Sequence, residues 1–174
     1  MPAPLIWVGA ALAGIYAGNK ANTNYLKRKQ VVGSMPGESK LTITPVNGSI
    51  VCCGIYGVLD HTGIWIDNTI YELSGQGLVR CLSPNRFLGK RSGSTIYVAC
   101  DANSNPLFEE NSVGLARSRL YTLLDYHLFD QNCHRFVAET LAGHSVDIMS
   151  FSDLNIFLHQ HFSTLINWHK ASNN

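Results

Sequence analysis

Asp60-His61-Thr62-Gly63-Ile64-Trp65-Ile66-Asp67-Asn68-Thr69-Ile70-Tyr71-Glu72-Leu73 is the stretch on which the fold turns. His61 to Asp67 alternates in strand fashion, with Gly63, Trp65 and Asp67 on one face. Asp67-Asn68 supplies a tight turn into Ile70-Tyr71-Glu72-Leu73, so the segment predicts a hairpin. Upstream, Ile50 to Val58 is β-branched and apolar, another strand. Downstream, Ser74-Gly75-Gln76-Gly77 turns the chain into a short strand, Leu78 to Leu82. Ser83-Pro84 then opens a helical turn with proline at its first position, and Thr95 to Cys100 is a further strand.

Beyond residue 110 the period changes. Val113 to Leu124 carries apolar residues at helical spacing. Asn132 to Leu141 predicts a second helix, stopped by Gly143, and Asp153 to Trp168 a third, with Ser152 as its N-cap. Strands followed by helices imply an α+β domain, with helices packed on one face of an antiparallel sheet.

The 174 residues, 45% apolar and 14% charged, suffice for one domain with a real core and not for two. We expect that domain over residues 41–174, behind an apolar N-terminal helix and linker at 1–40. The helix would run from residue 4 to about 30, and Val31 to Lys40 is rich in Gly, Pro and Ser. Pro4 to Gly18 is apolar, yet shorter than the roughly 20 residues that span a bilayer. It also lacks a positive residue ahead of it. A helix that docks or lies on a membrane surface is the expectation; a cleaved signal and a true span are the other readings.

Net charge is +1, from 13 basic and 12 acidic residues, without the dense Lys/Arg cluster that nucleic-acid binding needs. Lys27-Arg28-Lys29 reads as the solvated end of a helix. Five cysteines, two of them adjacent at Cys52-Cys53, do not make a disulfide framework. Reduced thiols imply folding in a reducing cytoplasm. Later delivery to a periplasm, or residence at a membrane, is compatible with that.

Cys133 sits in the first turn of a helix, straight after Asp130-Gln131-Asn132. The partial positive charge and free N–H groups of a helix start lower a thiol's pKa and can hold an oxyanion. A buried structural cysteine is the bland alternative; the polar neighbours Asn132 and His134 argue against it. Among seven histidines, His159, His161 and His169 fall on the last predicted helix and are expected at the surface. His144 follows a glycine in a loop, and His127 lies in a strand-like segment upstream. His134 adjoins Cys133 on one helix, where successive side chains diverge by about 100°. His61, at a strand end, can face a helix start across a sheet–helix seam and take the thiol proton. Glu72, on the next strand, can accept the other imidazole N–H and fix the ring, although an ordinary exposed strand residue is its plainer reading. His127, Cys133, His134 and His144 follow no standard zinc spacing.

The segment Asp60 to Asp67, followed by Tyr126-His127-Leu128-Phe129-Asp130-Gln131-Asn132-Cys133-His134-Arg135-Phe136-Val137, resembles the circularly permuted branch of the NlpC-type papain-like cysteine peptidases. That branch includes the lecithin:retinol acyltransferase-like proteins; in it the His strand precedes an Asn-Cys-x-x-Phe helix start. Gly75 to Arg80 and Pro84-Asn85-Arg86-Phe87 are similar to its bacterial members, and the likeness covers roughly residues 48 to 143. The vertebrate acyltransferases usually carry a second histidine where this chain has Glu72, and the hairpin here is one residue shorter.

The resemblance implies attack by the Cys133 thiolate on an amide or ester carbonyl, with His61 as proton carrier. The oxyanion would rest on the Cys133 N–H, aided by Tyr56 or Asn132. No cofactor or metal is needed. Implied substrates are a peptidoglycan stem peptide, which we favour, or a lipid acyl group. A delivery or immunity protein would partner a secreted antibacterial effector, and residues 4–18 would be the membrane contact. An inactive binding domain with the same fold is the remaining reading.

Overall fold

The computed structural model describes residues 18–55, 59–89, 91–124 and 132–172. A helix, α1, covers residues 18–28. The strands are β1 (Val32–Ser34), β2 (Thr42–Ile43), β3 (Ser49–Ile55), β4 (Leu59–Ile66), β5 (Thr69–Leu73), β6 (Val79–Leu82), β7 (Tyr97–Cys100) and β8 (Ile166–Ala171). Helix α2 (Pro84–Leu88) interrupts the strands, and α3 (Glu110–Ser118), α4 (Cys133–Ala142) and α5 (Phe151–Phe162) follow β7.

The predicted hairpin is β4–β5. Asp67 and Asn68 both take positive φ, 48° and 58°, the paired left-handed geometry that suits a two-residue hairpin turn. Register is set by the pairs Ile64↔Tyr71, Trp65↔Ile70 and Ile66↔Thr69. Gly63 is required there: a Cβ would stand 2.6 Å from Ile70 Cγ2 and 2.8 Å from the Tyr71 carbonyl oxygen. The sheet runs β1-β8-β7-β3-β4-β5-β6, with β2 also on β8.

Five expectations need correction. The sheet is mixed: β1 and β2 pair with β8 in parallel, the other pairings being antiparallel. The stretch 31–40, read as a linker, contains β1 and so belongs to the sheet. The third helix ends at Phe162, is capped by Ser150 rather than Ser152, and gives way at left-handed Ser163 (φ 50°) to strand β8. The helix read at Val113–Leu124 is Glu110–Ser118. Nor do the helices share one face. Residues of α3, α4 and α5 join Cys52, Ile64 and Trp168 in the larger core, while Phe87 of α2 packs with Val51, Cys53, Trp65 and Val98 in a second.

The element that carries the site is fixed at both ends. Asn132 accepts hydrogen bonds from the N–H groups of His134 and Arg135 at 2.9 Å, and Gly143 closes α4 in the left-handed conformation, φ 74°. The Asn132 amide also donates to the carbonyls of Ile148 and Met149, which ties the helix start to the chain entering α5. Trp168 Nε1–H donates to Asn155 Oδ1 at 2.9 Å, which anchors β8 under α5. Among the described residues no helix is long and apolar enough to cross a membrane; residues 4–17 of the apolar segment lie outside them.

Candidate active site

The structure brings Cys133 and His61 together in a cleft of about 760 Å³, lined also by Asp60, Asn132 and His134, with Glu72 buried behind His61. Helix α1 contributes Asn19, Lys20 and Thr23 to one wall, and Ser92 to Thr95 supply part of another. Gly93 makes that wall close: its N–H donates to the Gly54 carbonyl, and a Cβ on it would stand 2.6 Å from that oxygen.

His61 Nε2–H donates to Glu72 Oε2 at 2.7 Å. The remaining ring nitrogen, Nδ1, is therefore the one free to exchange a proton with the thiol. Phe87 packs against the imidazole with centroids 5.3 Å apart, so the ring is held from the side as well. Glu72 is fully buried, against the plainer expectation of an exposed strand residue. Two cations offset its burial. Arg80, its cross-strand partner on β6, binds Oε1 at 2.7–2.8 Å, and Arg91 reaches Oε2 at 2.9 Å. Arg91 also stacks over Phe87 and donates to its carbonyl.

The charges follow. Burial alone would raise the Glu72 pKa, but His61, Arg91 and Arg80 hold it at about 2. Burial would lower that of His61, yet the charge and hydrogen bond of Cys133, together with Glu72, push it up to about 9. Burial opposes ionisation of Cys133 too; His134 and His61 outweigh it and hold the thiol well below its ordinary value. Both directions favour a thiolate–imidazolium pair, with the proton on His61. The cysteines of β3 behave oppositely: burial raises Cys52 well above the usual thiol range and Cys53 to about 12. Of these three thiols only Cys133 is shifted toward the thiolate.

Three residues escaped the sequence reading. Asp60, immediately before His61, has its pKa raised to about 6, burial and Cys133 outweighing the pull of His134. Thr62 Oγ1 and His134 Nδ1 share a hydrogen bond at 3.1 Å, and that Nδ1 stands 3.9 Å from Cys133 Sγ. A divergence of 100° about the helix axis did not keep His134 from the thiol, because its ring folds back toward β4. Asn132, expected near the oxyanion, uses its side chain to cap α4 and hold the loop before α5. The Cys133 N–H, by contrast, makes no hydrogen bond among the described residues. Tyr56 and His127 lie outside the described residues.

The remaining histidines lie elsewhere. His144 is exposed and His161 pairs with Glu109 at 3.5 Å. His169, expected at the surface of a helix, is buried on β8 with Nδ1 bonded to Ser39 Oγ at 2.7 Å. All five cysteines are free thiols. No group of three or more His, Cys, Asp or Glu side chains among the described residues is placed to hold a metal ion. Compared with protein-family models and with curated proteins, the chain matches none.

Proposed function

We propose that the chain is a cysteine-dependent hydrolase of the permuted papain-like type, acting on an amide bond through an acyl-enzyme. The observation that carries this reading is the buried chain Cys133–His61–Glu72, with the thiolate at a helix start and open to a cleft. The thiolate adds to the carbonyl carbon, and the new oxyanion is received by the Cys133 N–H. His61 gives its proton to the leaving nitrogen, the C–N bond breaks, and a thioester remains. A water then loses a proton to His61 and attacks the thioester. The acid is released, and the proton returns the pair to its resting state.

A peptidoglycan stem peptide is the substrate we favour: the hydroxyls of Thr23, Ser92 and Ser94 line the cleft beside the apolar Met35, Pro36, Ile55, Leu59 and Phe151. A peptide can use both kinds of wall, an acyl chain only the second. The test compares wild type with Cys133→Ala on purified peptidoglycan and on phospholipid vesicles, with products read by mass spectrometry. Muropeptide fragments from wild type only are expected. Fatty acid or lysolipid in their place would move the protein to the lipid acyl class, and full turnover by Cys133→Ala would remove the nucleophile assignment.

The resting ion pair also fixes a pH dependence. The competent form needs Cys133 deprotonated and His61 protonated, so kcat/KM is expected to be flat across neutral pH. It should fall above about pH 9 as His61 loses its proton. The acid limb should lie well below the ordinary thiol value. A rate that instead rises through pH 8 to 9, as for a free thiol, contradicts a preformed pair.

A further inference from the structure

We infer that His134 is a positioning residue for the sulfur of Cys133, its Nδ1–H held toward Sγ by Thr62, so that two histidines serve one nucleophile in different capacities. The inference deepens the hydrolase reading and rests on it. His61 lends a proton to the reaction. His134 keeps its own.

Three observations carry it. First, the contact: His134 Nδ1 is 3.9 Å from Sγ and 3.1 Å from Thr62 Oγ1, a three-centre arrangement around one nitrogen. A thiolate only accepts hydrogen bonds, so the nitrogen that faces it must carry the hydrogen, and Thr62 Oγ1 is then the second acceptor. Second, the ring cannot swing away. It is buried, and Phe151 of α5 packs against it with centroids 5.6 Å apart. Third, His134 lacks the support that a proton carrier has here. His61 donates to a buried carboxylate at 2.7 Å, whereas Nδ1 of His134 is held by a neutral hydroxyl. The anchored base and the fixed donor are thus separate side chains.

The groups that set the charge on sulfur come from three elements. Asp60 and His61 face it from β4, Cys52 and Cys53 from β3, and His134 from α4. Among them His134 and His61 favour the thiolate, and Asp60 opposes it when ionised. Loss of His134 therefore leaves the thiolate with His61 alone against burial and Asp60.

The experiment follows alkylation of Cys133 by iodoacetamide against pH, read by mass spectrometry on the peptide that contains it, with no substrate present. His134→Ala is expected to move the midpoint upward by at least about one pH unit, a tenfold loss of rate on the acid side. His134→Asn keeps an N–H donor near the place of Nδ1 and should restore most of that loss. Thr62→Val leaves both histidines and should shift the midpoint the same way by less; it decides the matter if His134→Ala fails to fold. A His134→Ala curve that superimposes on a low wild-type midpoint overturns the inference and spares the hydrolase reading. A wild-type midpoint at the ordinary thiol value overturns both. A shifted midpoint in a protein that cleaves neither amide nor ester overturns only the hydrolase reading.

Discussion

His61→Ala is expected to lower kcat/KM by about 10⁴, the upper end for a lost general acid–base group, with little change in KM. The variant loses the acid that must protonate the leaving nitrogen and the link from the thiolate to Glu72. It does not lose every stabilising contact to sulfur, because His134 stays in place at 3.9 Å. Alkylation of Cys133 should therefore persist at neutral pH while hydrolysis collapses. Steady-state kinetics and alkylation on one preparation check this, and a parallel loss of both would mean that His61 alone sustains the thiolate.

Glu72→Leu is expected to cost about 3 kcal/mol of stability, because it leaves a buried imidazolium and two part-exposed guanidinium groups without their anion. For a chain of this size that is a fall in Tm of roughly 10 °C. Glu72→Gln should cost less and lower the rate less than His61→Ala, since the ring keeps an acceptor. The contribution of Glu72 depends on pH with a definite sign. Its carboxyl has the ordinary value of 4.5 when unfolded and is held at about 2 when folded. The stabilisation is whole above about pH 4.5 and is lost as the pH falls toward 2. Urea melts at pH 6, 4 and 3 should therefore converge for wild type and Glu72→Gln at the acid end; parallel curves would remove the carboxylate from the account.

The hairpin was legible because both of its determinants are local. Period-2 alternation from His61 and the Asp67-Asn68 pair need no tertiary information, and α4 announced itself through Asn132 and Gly143. What failed was decided by distance. Asp153 to Trp168 reads as one helix because Leu158, Ile166 and Trp168 are all apolar, and the period switches from 3.6 to 2 only at Ser163. β1 has three residues, too few to show a period, and exists because β8 arrives beside it. At the site, Cys133 and His61 could be named from helix-start chemistry and a strand end. The burial of Glu72 could not, since it depends on Arg80 across a strand pairing and Arg91 from a later loop. Angular spacing argues against His134, but it is a rule about Cα positions and says nothing of where a ring reaches back over its own helix start.

The parallel pairing of β1 and β2 with β8 joins parts of the chain that are far apart; Ser34 and Asn167, hydrogen-bonded across it, are separated by 133 positions. The β4–β5 hairpin closes over two residues, so most of the entropy of bringing strands together falls on the β8 end of the sheet. Kinetics follow from that asymmetry. Refolding should begin at the hairpin and wait, on the millisecond-to-second scale of non-local sheets, for β8 to find its place between β7 and the first two strands. Until it does, Trp168 is not under α5, and the loop that holds the Asn132 cap has nothing firm behind it. A chain caught at this stage would have its hairpin and its histidine, but no competent nucleophile.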